Sequence, residues 1–325
     1  MKNNFNKSLS TKKTILILSV IAVVMGAVCG ILGEITLPLL IGFLSCIYLF
    51  DYTAKHLYSI VVSLIIALLN VGAILADISI SFFSISAIII SLVISFAFKG
   101  GKSKADTAYI CTLICTIFTA LGALVLGMAE QGVFTIEAGI GFYSSLFESY
   151  KSLFVDSFLE VYTTAGVEVS RELIEQVYDQ QISLIISYLL IGGFAVTGIS
   201  MKIFGAVTKY CSEDKGVISG WSFASNGVYA YFYVILALCA VFTSTPGSLF
   251  TISVLNLYNL FMVVFAYLGF KYSFEALCGK MKPFAAFCVL VAILLVFIAF
   301  SVQIFAFIGA VRTVKRRDYN EPKAV

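Results

Sequence analysis

Apolar residues run almost without interruption from Thr14 to Val311, and charged positions fall in short gaps between the runs. A helix that crosses a bilayer needs about 17–25 mostly apolar residues, because a helix satisfies its own backbone polar groups in hydrocarbon. The pattern predicts nine such segments, at 14–32, 35–50, 57–76, 78–98, 107–129, 182–207, 228–243, 249–270 and 284–311. The second and seventh are short enough to be re-entrant or tilted. The last would be a helix of roughly 42 Å, too long for one untilted crossing and too short for two. The predicted fold class is an all-α, polytopic transmembrane helical bundle of eight or nine spans.

The segment 130–181 breaks the pattern. Tyr143, Phe147, Tyr150, Phe154, Phe158 and Val161 recur at helical spacing, while Glu148, Lys151, Ser152 and Glu160 take the other faces. This predicts an amphipathic helix outside the cytoplasm, lying on the membrane surface or capping the bundle. It holds nine of the chain's 18 acidic residues, opposed only by Lys151 and Arg171.

Composition agrees with the pattern: 60% of the 325 residues are hydrophobic and the mean hydropathy is +1.02. Charge placement adds an orientation. Lys2, Lys7, Lys12 and Lys13 precede the first segment, which places the N-terminus in the cytoplasm of a plasma-membrane protein. Alternation then puts Lys99, Lys102, Lys104, Lys209, Lys215, Lys271, Lys280 and Lys282 inside, and the 130–181 segment outside. With nine crossings the tail bearing Arg312, Lys315, Arg316 and Arg317 would fall outside, against the rule. A cytoplasmic tail requires that one short segment does not fully cross. The first segment has a basic flank but no small-residue cleavage site, so it is read as a retained helix.

The candidate chemistry is sparse. Cys111 and Cys115 lie four apart, no Cys-x-x-Cys occurs, and His56 is the single histidine, so no metal site and no cofactor are expected. Gly100-Gly101-Lys102-Ser103 resembles a phosphate loop, but the position that should carry its first glycine is Phe96, inside an apolar helix. Lacking a nucleophile, an acid–base pair or a carboxylate relay within the spans, the chain is not expected to be an enzyme. No nucleic-acid partner is expected either.

The remaining polar and small residues supply the candidate sites. Ala22, Gly26 and Gly30 line one face of the first segment, where missing bulk admits another helix, from this bundle or from a separate membrane subunit. Asn70, Ser84 and Tyr188 fall in the outer halves of their segments and are the candidate lining of an outward ligand pocket. Ser91 and Ser95 extend the Ser84 stripe, and Asn256 and Asn259 share a face. Buried amides and hydroxyls in lipid serve either as interhelical links or as pocket lining.

Two stretches carry a family resemblance. The first comprises the small-residue opening helix, Leu37-Pro38-Leu39, and the Lys99-Gly100-Gly101-Lys102 break. The second comprises Tyr267-Leu268-Gly269, Lys282-Pro283, a long apolar helix, and Ile308-Gly309 before a charged tail. The chain resembles the DUF2232 (YybS-like) membrane proteins of Gram-positive bacteria. It departs from them at Arg312 and Arg316, where that family usually carries aspartates. The family's N-terminal part is similar to the S components of energy-coupling-factor vitamin transporters, six-helix proteins that bind a small molecule near the outer face. The resemblance implies an S-component-like unit over 1–207, with Ala22, Gly26 and Gly30 matching its helix-docking stripe, and an added two- to three-helix bundle over 208–325. It further implies a small-solute-binding transport component that relies on an energy-coupling membrane partner. The alternative is a membrane scaffold or regulator of cell-envelope or sporulation machinery.

Overall fold

The computed structural model describes residues 12–32, 36–54, 58–74, 80–211, 227–242 and 248–320. Among them every regular element is a helix: α1 (Lys12–Leu32), α2 (Leu37–Ala54), α3 (Tyr58–Ile74), α4 (Ile80–Lys99), α5 (Lys104–Gln131) and α6 (Ile136–Thr164). These are followed by α7 (Arg171–Ser183), α8 (Ile185–Cys211), α9 (Gly227–Phe242), α10 (Leu249–Cys278), α11 (Pro283–Val296) and α12 (Ile298–Asn320). Among the described residues, α5, α10 and the Ile185–Tyr210 stretch of α8 are long and apolar enough to cross a membrane. Shorter apolar helices occupy the other predicted segments.

The helix boundaries follow from local chemistry. Gly101 turns the chain between α4 and α5 at φ +68, a conformation that favours glycine. Ser103 then caps α5, its hydroxyl accepting from the Asp106 amide at 3.3 Å. The phosphate-loop likeness of Gly100–Ser103 is thus the stop and start of two helices; no strand precedes it. Thr135 caps α6 in the same way through the Ala138 amide.

One boundary departs from expectation. The 284–311 segment is not a single helix but breaks at Phe297, whose backbone leaves the helical region at φ −115, ψ 38. The Phe297 carbonyl accepts from the Phe300 and Ser301 amides, so α12 starts at once. At roughly 21 Å and 35 Å, the two pieces are a half-length and a full-length helix.

The chain forms two compact units, one of residues 1–178 and 192–223, the other of 179–191 and 224–325. In the first, α2 lies largely in the core, with Leu40, Ile41, Leu44, Cys46, Ile47 and Phe50 buried around it. An all-round apolar helix of this kind is a core helix. It meets α8 where Gly42 faces Ile203, and the Cys46 thiol lies 3.5 Å from the Thr208 hydroxyl. In the second unit, α10 and α12 cross in backbone contact at Gly269 and Gly309.

The outside of the bundle is apolar as well as its core, unlike that of a water-soluble bundle. Leu16, Ile17, Val20 and Val24 of α1 are exposed, as are Ile110, Leu113, Ile117 and Leu121 of α5. Ser45, Ser91, Ser95, Thr112, Ser187 and Asn256 are buried.

Candidate functional site

Of the three predicted pocket residues, Tyr188 is described in full. The side chains of Asn70 and Ser84 lie outside the described residues. Tyr188 is 52% exposed, and its hydroxyl donates to the Gln181 carboxamide one helix earlier. That bond braces the α7–α8 elbow.

Of the docking stripe, Ala22 is fully buried, and a Cβ on Gly26 would lie 3.0 Å from Ile66 Cγ1 of α3. At Ala22 and Gly26 this face is occupied by the protein's own helices. The surroundings of Gly30 lie outside the described residues.

The buried hydroxyls link helices. Ser91 donates to the Ile41 carbonyl at 3.1 Å and Ser95 to the Ser45 carbonyl at 2.6 Å, joining α4 to the central α2. Such bonds replace water in an apolar interior and hold two backbones in register.

The most complete polar node surrounds Asn256, a residue the sequence offered only as one of several amides. α7 ends at Ser183 and α8 begins at Ile185, so Leu184 occupies a cap position without a side-chain acceptor. The first-turn amide of Ser187 and the last carbonyl of α7 would both be orphaned. Asn256, on α10, serves both. Its Oδ1 accepts from the Ser187 amide at 2.6 Å and the Ser187 hydroxyl at 2.7 Å. Its Nδ2 donates to the Ser183 carbonyl at 2.9 Å and the Ile252 carbonyl at 2.8 Å. All four bonds the carboxamide can make are used, which leaves nothing for a ligand.

The second cluster is the hairpin of α6 with the first turns of α7. Its base is set by Gly127 of α5 against Gly139 of α6, where a Cβ on Gly127 would lie 2.8 Å from the Gly139 carbonyl oxygen. Beside this crossing, partial burial, with a smaller contribution from the Glu130 carboxylate, raises the Tyr143 phenol above its ordinary pKa. Higher up, Tyr178 donates to the Phe147 carbonyl at 2.7 Å and its ring packs on Phe154 at 5.3 Å. Arg171 bridges Asp156 at 3.2 Å and Glu175 at 3.0 Å, exposed pairs of small energetic weight. An open depression of about 740 Å³ at the tip is lined by Leu159, Tyr162, Thr163, Val167, Glu168 and Ser170.

Among the described residues no group of three or more His, Cys, Asp or Glu could hold a metal ion. Comparison with known proteins finds no matching family model, no similar curated protein and no similar solved structure.

Proposed function

We propose that this chain is a multi-pass protein of the plasma membrane, N-terminus inside, that holds the α6–α7 hairpin outside and acts by binding rather than by catalysis. The observation that carries this reading is the exposed apolar outer surface. Large aliphatic side chains face outward along α1, α3, α5 and α9, while buried serines and threonines donate to backbone carbonyls and Ser187 pairs with Asn256. In water such outward faces would be an aggregation hazard; in lipid they are the solvated surface. The eight or nine crossings follow from the apolar segments, the shorter ones as tilted or incomplete crossings. The break at Phe297 offers a way for a segment near the C-terminus not to cross fully, which would return the basic tail to the cytoplasm.

Of the two binding roles, contact with other envelope proteins is favoured by the way Ser91, Ser95, Ser187 and Asn256 spend their hydrogen bonds within the protein. Solute capture with an energy-coupling partner, the role implied by the S-component resemblance, would rest on Asn70 and Ser84. Mass spectrometry of the protein purified from its own membrane separates the two. Membrane-protein partners cross-linked without a retained small molecule support the contact role. A stoichiometric small molecule displaced by Asn70→Ala would replace it with solute capture.

A further inference from the structure

Among the described residues, the hairpin leaves part of the apolar face of α6 exposed, beside the part that α7 covers. At about 100° per residue, Ile136, Ile140, Tyr150, Phe158 and Val161 share one stripe of α6, running roughly 38 Å. All five are exposed, Val161 to 65%. Phe147 and Phe154, which lie within the same stripe, meet Tyr178 of α7, and Val155, Ile174 and Tyr178 are buried there.

Charge decides what the stripe fits. Helical geometry sets Glu137 and Glu148 along one edge and Glu160 along the other. These three, with Glu168 and Glu172, make no ion pair among the described residues. The 130–181 segment holds nine acidic residues against two basic ones. A helix that lies in a lipid interface carries lysine and arginine on its polar face, the reverse of this arrangement, and anionic headgroups would repel it. Two copies meeting stripe to stripe would bring like charges together across the contact.

We propose that the exposed stripe of α6 is a docking surface for a cationic amphipathic helix, its apolar face on Tyr150, Phe158 and Val161 and its lysines or arginines on Glu148 and Glu160. Helix-in-groove recognition uses this combination of apolar anchors at helical spacing with a charged rim. The inference rests on the extracytoplasmic placement of the hairpin only for where the partner would be met.

The test uses the full chain in nanodiscs of zwitterionic lipid, with a fluorescent synthetic leucine–lysine amphipathic peptide as probe. Saturable binding above empty nanodiscs is expected, with no binding of the matching leucine–glutamate peptide. Tyr150→Ser/Val161→Ser should weaken binding by about tenfold or more, since few anchors carry most of the energy. Glu148→Gln/Glu160→Gln should weaken it and flatten its salt dependence. All four positions point to solvent, and unchanged thermal midpoints would show that the variants fold. Binding no greater than to empty nanodiscs, or equal binding of both peptides and all variants, would overturn the proposal. So would quenching of Val161→Trp fluorescence by brominated lipid in a Trp221→Phe background, because the stripe would then rest on lipid. Peptide binding in nanodiscs is blind to sidedness. An inside hairpin found by labelling in cells would therefore refute the topology and leave the docking surface standing.

Discussion

Gly269 of α10 and Gly309 of α12 lie face to face. A Cβ on Gly269 would fall 3.0 Å from the Gly309 amide nitrogen and well inside the Phe305 carbonyl oxygen. The relation is reciprocal, for a Cβ on Gly309 would fall 2.8 Å from the Gly269 nitrogen and into the Phe265 carbonyl oxygen. Each helix supplies a Phe-x-x-x-Gly step, and both phenylalanines are buried beside the crossing. In lipid, where helices have no hydrophobic reason to associate, such backbone contact would supply the packing that holds them together.

Gly269→Ala should therefore lower stability by about 1–3 kcal/mol, the usual cost of overpacking, with Gly269→Leu worse. The measurement is thermal unfolding in detergent. Because both glycines serve one crossing, Gly269→Ala/Gly309→Ala should cost less than the sum of the single changes. Additive losses would mean that the two positions act separately.

Asn256→Leu keeps the bulk and removes all four hydrogen bonds. It leaves the Ser187 amide and the Ser183 carbonyl buried without partners, at about 1–3 kcal/mol for an unsatisfied group. Hydrogen exchange at residues 184–188 should accelerate well beyond the rest of α8. Equal protection in variant and parent would show that the elbow is held by other contacts.

The glycine crossing and the asparagine node differ in how legible they are. Repetition of Phe-x-x-x-Gly at 265–269 and 305–309 is a sequence signal, and small residues four apart, Gly269 with Ser273 and Ala306 with Ala310, add to it. The Asn256–Ser187 bond joins residues 69 apart, and no local pattern encodes that proximity. The turn at Gly101 and the caps at Ser103 and Thr135 are local and readable. The break at Phe297 has neither proline nor glycine to mark it. Tyr188 reads as an apolar-segment tyrosine, but the helix boundary at Leu184 places it on an exposed elbow. The amphipathic helix expected within 130–181 is present as α6, and the same segment also holds α7, which covers part of its apolar face.

Gly26→Leu tests the first unit. Ile66 stands against Gly26, so leucine must push α1 from α3 while remaining as apolar as the segment requires. Normal membrane insertion with a lowered unfolding temperature in detergent is expected, whereas Leu16→Ala on the exposed face of the same helix should be nearly silent. A Gly26→Leu protein as stable as the parent would mean that α1 does not pack on α3 through this face.

The central claim is that the chain threads the membrane with the hairpin outside and the α4–α5 turn inside. It is tested by single-cysteine labelling with an impermeant thiol reagent, in a background stripped of the eight native cysteines. Ser103→Cys and Glu172→Cys are chosen because both positions are exposed and lie in opposite predicted compartments. In intact cells the account predicts labelling at 172 and none at 103, with 103 labelled once the membrane is opened. Labelling at 103 but not at 172, or at both before permeabilisation, would contradict it.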